Sequence, residues 1–242
     1  MTPSIPRLLV VDDEPDTCEN LSDIFTDLGY HVDVAYDGLS AIALVKKNAY
    51  DLALLDLKMP GMNGLELYRE IRQLAAGTVA IIVTAYASSD TAQSVLQAGA
   101  WRIVSKPIDF GELQSQVDEA LGQPLVLIVD DDRDLCQTMW DLFREQQYRV
   151  CLAHDVNTAN RFISARAYQV VMIDMKLPDA EGTEVIEHLR RESPDARTLI
   201  ITGFASEMND ALQIALAAGA DAVCYKPFDV EQLLKTVKEL TR

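Results

Sequence analysis

Hydrophobic residues fall along this chain in short, dense runs separated by longer stretches of helical spacing. Leu8 to Val11 is apolar throughout and ends at Asp12-Asp13. Cys18, Leu21, Ile24, Phe25 and Leu28 then recur every three or four positions, with Pro15 in the expected first turn and Gly29 as the expected cap. His31 to Ala35 alternates as a strand does, and Leu39 to Lys47 has helical spacing. Leu52 to Leu55 is a second dense run ending in a carboxylate, Asp56, followed shortly by the turn pair Pro60-Gly61. A helix opened by Gly64, a strand over Val79 to Val83 ending at Thr84, a helix from about Asp90 to Ala98, a strand over Trp101 to Val104 and a helix capped by Asp109 complete the series.

The series is written twice. Asp12 and Asp13 recur as Asp130 and Asp131, Asp56 as Asp174, and Thr84 as Thr202, each offset by 118 residues. Lys106-Pro107 recurs as Lys226-Pro227, offset by 120. The second set of strands is expected over Leu125–Val129, Val150–Ala153, Val170–Ile173, Leu199–Ile201 and Ala222–Tyr225, and its first helix lacks a glycine cap and is expected to reach Gln146-Gln147. A period this long marks duplicated domains rather than a solenoid. The pattern predicts an α/β chain of two doubly wound (βα)5 flavodoxin-like domains, residues 1–122 and 123–242, each built on a five-stranded parallel sheet.

Composition narrows the chemistry. Hydrophobic residues make up 49% of the 242, enough for sizeable cores, and the net charge of −17 argues against nucleic acid and anionic membrane surfaces as partners. The four cysteines show no paired metal-ligand spacing; Cys18 and Cys136 sit at matching apolar helix positions and read as core residues. With no signal-like start and no run of membrane-spanning length, a cytoplasmic location is expected. Phosphate-binding glycine fingerprints are absent, and the three histidines lie in no phosphorylation motif.

In an open parallel sheet the carboxyl ends of the strands converge. That convergence brings together Asp12, Asp13, Asp56, Thr84 and Lys106, and in the second copy Asp130, Asp131, Asp174, Thr202 and Lys226. Three carboxylates in one place repel one another unless a cation joins them, and a hard ion with few protein ligands, Mg2+, suits such a set. A carboxylate beside a metal, a lysine and a hydroxyl can attack phosphorus. Taken singly, an Asp pair is often a helix cap and a Lys-Pro pair a turn. Five matching positions in order, repeated, outweigh that reading.

With these residues, and with the stretches DLKMPGMNG and TAYAS around them, both halves resemble receiver domains of two-component response regulators. The resemblance implies that Asp56 and Asp174 accept a phosphoryl group from a sensor histidine kinase or phosphotransfer protein. It implies that Asp13 and Asp131 bind Mg2+ with the acceptor and the backbone carbonyls of Lys58 and Lys176, with Asp12 and Asp130 helping through water. Lys106 and Lys226 would contact the phosphoryl group, their bonds to Pro107 and Pro227 would be cis, and Thr84 and Thr202 would shift toward its oxygens. Output would be altered protein–protein interaction, not enzymatic turnover of a small substrate; the downstream partner is unnamed and self-association into a dimer is left open.

Two departures from the family stand out. Ile103 and Val223 occupy the position where it often places an aromatic switch, with Trp101 and Tyr225 nearby but out of register with it. Lys58 and Lys176, with Tyr86 and Phe204, flank the path of hydrolytic water and are expected to set the lifetime of the acyl phosphate. A phosphohydrolase of the haloacid dehalogenase type uses similar residues but needs an acid two positions after its nucleophile, where this chain has Lys58 and Lys176. A standalone tandem receiver and the N-terminal fragment of a larger regulator, hybrid kinase or cyclase are equally compatible with the chain's extent.

Overall fold

The inner apolar runs become strands because each is sealed on both faces. The computed structural model describes residues 5–75, 77–85, 89–177, 182–203 and 219–242. They divide into two compact units, Met1–Gln123 and Pro124–Arg242. In the first unit β1 (Arg7–Val11), α1 (Pro15–Asp27), β2 (His31–Ala35), α2 (Gly38–Val45), β3 (Leu52–Asp56), α3 (Gly64–Leu74), β4 (Val79–Thr84), α4 (Ser89–Gln97), β5 (Arg102–Ser105) and α5 (Phe110–Leu121) alternate. In the second, β6 (Leu125–Val129), α6 (Arg133–Glu145), β7 (Arg149–Ala153), α7 (Val156–Ala165), β8 (Val170–Asp174), α8 (Gly182–Glu192), β9 (Arg197–Thr202), β10 (Ala222–Tyr225) and α9 (Val230–Leu240) follow. The helix expected between β9 and β10 lies outside the described residues.

Each sheet is parallel throughout and five-stranded, in the order β2-β1-β3-β4-β5 and, equivalently, β7-β6-β8-β9-β10. The chain reverses its direction of winding between the first and third strands of each unit, and that crevice is where doubly wound sheets hold ligands. Asp12 follows β1 and Asp56 ends β3, so the two carboxylates flank it; Asp130 and Asp174 do the same after β6 and β8.

Side-chain alternation divides each core in two. Leu9, Val11, Ala53, Leu55, Ala80 and Ile82 meet α2 and α3, whereas Leu8, Val10, Leu52, Leu54, Ile81 and Val83 meet α1 and α5. The second unit repeats the division. Helix α1 buries Cys18, Leu21 and Phe25, and α6 buries Cys136, Met139, Trp140 and Phe143. Asp109 and Asp229 cap α5 and α9 by accepting from the amides of Glu112 and Gln232.

The helix after the first strand ends differently in the two units. Gly29 takes φ +91° behind α1. Its counterpart Gln147 takes φ +63°, which closes α6 at Glu145, slightly earlier than the sequence suggests. The two turns make the same bonds: Gly29 N to Thr26 O and Tyr30 N to Phe25 O, against Gln147 N to Arg144 O and Tyr148 N to Phe143 O. Glutamine here adopts the left-handed conformation that glycine adopts without steric cost.

Candidate functional site

The site is built first by strand ends. Backbone bonds lock them together: Leu57 N donates to Val83 O (2.9 Å), Asp12 N to Ala35 O (3.3 Å) and Lys106 N to Thr84 O (2.8 Å). In the second unit Met175 N donates to Ile201 O (3.2 Å), Asp130 N to Ala153 O (3.1 Å) and Lys226 N to Thr202 O (2.7 Å). The five residues named from the sequence are thereby brought to one end of each sheet. Asp12, Asp56, Thr84, Asp130, Asp174 and Thr202 are buried, while Asp13 and Asp131 are exposed at the rim.

One lysine joins two carboxylates in each unit. Lys106 Nζ lies 2.7 Å from Asp12 Oδ2 and 2.7 Å from Asp56 Oδ1. Lys226 Nζ lies 2.7 Å from Asp130 Oδ2 and 2.6 Å from Asp174 Oδ2. The remaining oxygens are held by backbone: Lys58 N donates to Asp56 Oδ2 (2.6 Å), Lys176 N to Asp174 Oδ1 (2.9 Å), Glu14 N to Asp12 Oδ1 (3.0 Å) and Asp132 N to Asp130 Oδ1 (2.9 Å). Both Lys-Pro bonds, Lys106-Pro107 and Lys226-Pro227, are cis.

Burial pushes the Asp56 carboxyl above the ordinary Asp range, against the pull of the Lys106 ammonium. Asp130 is pushed up for the same reason, against Lys226 and the Asp132 amide. Burial would lower the two lysines, but their hydrogen bonds to the carboxylates outweigh it and both are raised. Two buried carboxylates thus share one positive charge. A cation fits the excess: carboxylate oxygens of Asp130, Asp131 and Asp174 lie within 4.8 Å of one another, and this donor set of oxygens suits a hard divalent ion. Among the described residues, three such ligand atoms come this close only in the second unit. In the first unit a cleft of about 500 Å³ is lined by Asp12, Asp13, Glu14, Pro15, Asp56, Lys58, Ala85 and Lys106.

Sequence reasoning missed three supports of this site. The Cys18 and Cys136 thiols each donate to the backbone carbonyl of a site aspartate, Asp12 O and Asp130 O, at 3.3 Å. Burial raises the thiols to about 11 and about 12, so they remain protonated donors. His154 Nδ1 lies 3.0 Å from the same Asp130 carbonyl. Gly64 and Gly182 let α3 and α8 start against the acceptor strands, since a Cβ there would come within 2.1 Å of Asp56 O and 2.6 Å of Asp174 O. Recurrence of Gly64 as Gly182 at the 118-residue offset was the available signal. Ile103 and Val223 pack into the cores under α3 and α8. Tyr86 and Phe204 lie outside the described residues.

Comparison with known proteins identifies the family. The family model described as the response regulator receiver domain matches residues 8–118 and again 126–238. A response regulator receiver protein of Anaeromyxobacter sp. (strain Fw109-5) is 28% identical over 236 residues, 98% of this chain and 95% of that protein. The transcriptional regulatory protein ZraR of Klebsiella oxytoca is 40% identical over 115 residues, which is 48% of this chain but only 26% of ZraR. The response regulator TrrA of Thermotoga maritima, solved in complex with Mg(2+)-BeF, is 37% identical over 48% of this chain and 98% of its own, with a TM-score of 0.44. Two family matches, which together span nearly the whole sequence, place this chain in the response regulator receiver family, with two such domains in series.

Proposed function

We propose that each unit accepts a phosphoryl group onto its central carboxylate, Asp56 or Asp174, from the phosphohistidine of a sensor histidine kinase or phosphotransfer protein. The observation that carries this reading is the buried aspartate at the end of the third strand, held by a lysine it shares with a second buried aspartate, in both units. In the transfer an aspartate Oδ forms the new P–O bond, the P–N bond breaks, and the imidazole leaves with the electron pair. Lys106 or Lys226 neutralises charge on the phosphoryl oxygens, and Thr84 or Thr202 donates a hydrogen bond to one of them. Asp12, Asp13, Asp56 and the Lys58 carbonyl would hold Mg2+ in the first unit; Asp130, Asp131, Asp174 and the Lys176 carbonyl would hold it in the second. When bound, Mg2+ supplies positive charge that offsets the carboxylates and the transferred oxygens. Hydrolysis of the acyl phosphate resets each unit, with Lys58 at the cleft wall placed to slow or speed the entry of water. The output is a change in which protein is bound.

Incubation of the full chain with acetyl phosphate and Mg2+, followed by intact mass, tests this. The expected result is two added phosphoryl groups, one in Asp56→Ala, one in Asp174→Ala and none in the double variant or after chelation of the metal. A folded chain that gains no mass under any of these conditions overturns the reading.

A further inference from the structure

We propose that His154 is a positioning residue of the second unit: by holding the Asp130 carbonyl it fixes the peptide that carries Asp131, and so sets how firmly the carboxylates there take a divalent cation. The inference rests on the phosphoacceptor reading above, which gives Asp130, Asp131 and Asp174 a Mg2+ ion to hold. His154 directly follows β7 and is half-buried. Its Nδ1 lies 3.0 Å from Asp130 O. A carbonyl oxygen only accepts, so Nδ1 carries the proton and, in the neutral ring, Nε2 carries the lone pair. The residue before it holds the same aspartate at its other end: Asp130 N donates to Ala153 O at 3.1 Å. The end of β7 therefore clasps Asp130 twice, at its amide through backbone and at its carbonyl through a side chain.

The clasp acts where the ligands gather. The Asp130 carbonyl and the Asp131 amide are two halves of one planar peptide, so a donor on the first orients the start of the next residue. The Cys136 thiol, from α6, donates to the same oxygen at 3.3 Å, and the two donors occupy both of its lone pairs. Asp132 N donates to Asp130 Oδ1, and the Asp132 side chain caps α6 by accepting from Asp134 N and Leu135 N. Asp131, exposed at the rim, is thus carried between two residues that are each pinned. Its carboxylate and those of Asp130 and Asp174 bring oxygens within 4.8 Å of one another. Carboxylates this close repel, and a loose loop would relieve the repulsion by carrying Asp131 outward. A held peptide denies that relief, so the ligands are gathered on folding rather than on binding. The matching residue of the first unit is Tyr36, whose one donor sits at the far end of its ring, not next to Cγ as in histidine.

The test titrates Mg2+ into the full chain labelled with nitrogen-15 and follows the amides of each unit separately. Partners outside the ligand set typically contribute about 10–100-fold to metal affinity, and one that acts through the main chain should contribute less: His154→Leu is expected to raise the Mg2+ Kd of the second unit at least about threefold, with the first unit unmoved. His154→Asn keeps an N–H close to the Nδ1 position and should hold the Kd near that of the parent. Labelling of Asp174 by acetyl phosphate should fall in His154→Leu at limiting Mg2+ and return at saturating Mg2+, a recovery that a damaged fold would not show. In the parent, ring nitrogen shifts read above the ordinary imidazole range should show the proton on Nδ1. A ring protonated on Nε2, a Kd indifferent to His154→Leu, or equal losses in the Leu and Asn variants overturns the inference and leaves the acceptor reading standing. The ring measurement decides the matter should His154→Leu fail to fold. A folded parent that takes no Mg2+ in either unit overturns the acceptor reading, and the inference with it.

Discussion

Gln147 carries a backbone strain that its counterpart Gly29 does not. A left-handed conformation costs a residue with a Cβ about 1–2 kcal/mol, part of which glycine returns as unfolded-state entropy. Gln147→Gly is therefore expected to stabilise the second unit by roughly 1 kcal/mol, read as slower native-state hydrogen exchange of its core amides; no change would mean the turn is relaxed. At this scale the aspartates, threonines and lysines of the site were legible because identity and spacing recur at the 118- and 120-residue offsets. The thiol bonds from Cys18 and Cys136 and the His154 contact were not. Each depends on where a loop carries a carbonyl, and apolar spacing says nothing about that.

At the level of elements, a helix start lies tight against the acceptor strand in each unit. Adding a Cβ at Gly64 would drive it against Asp56 O, a backbone atom that cannot swing aside. Overpacking of this kind costs typically 1–3 kcal/mol. Gly64→Ala is expected at the upper end, with labelling of Asp56 by acetyl phosphate reduced while Asp174 still labels, as mass mapping of the two peptides would reveal. Equal labelling of both would show that α3 can retreat. The second unit also has a charged staple built on Asp221, at a position where the first unit has Trp101. Asp221 pairs with Arg190 at 3.0 Å and Arg197 at 2.9 Å and accepts from Thr198 N at 2.8 Å. Partial burial would raise its carboxyl, but the Thr198 amide and the two guanidinium groups outweigh it and hold it below the ordinary range. Its contribution to stability is thus complete above about pH 4 and is lost as the pH falls through its lower folded-state value. Asp221→Asn should speed exchange of β9 amides at pH 7, and the gap from the parent should close on acidification. A gap of equal size at both pH values would remove the charge as its source. Strands and helices were readable from spacing because the inner strands are sealed on both faces and the helices on one; element ends were less so, since Gln147 and the Arg102 start of β5 are set by backbone bonds.

The molecule as a whole is one architecture used twice with different trim. The acidity of −17 is shared by both units, and no helix among the described residues is long and apolar enough to cross a membrane. Matching sites predict two labelling events, and unmatched surroundings predict that they differ in kind: an open cleft at Asp56 and a gathered carboxylate set at Asp174. Beryllofluoride titrated into the parent chain should then give two bound-fluoride signals with separable Mg2+ requirements, whereas a single coincident titration would make the units equivalent. The lysine bridges carry one more consequence. Lys106 reaches back 94 residues to Asp12, and Lys226 reaches back 96 to Asp130. Each site is therefore closed by one of the last parts of its unit to leave the ribosome. A nascent or truncated unit presents an aspartate but no bridge, so competence for the chemistry arrives only with a finished domain. The first unit can reach that point while most of the second has yet to be translated.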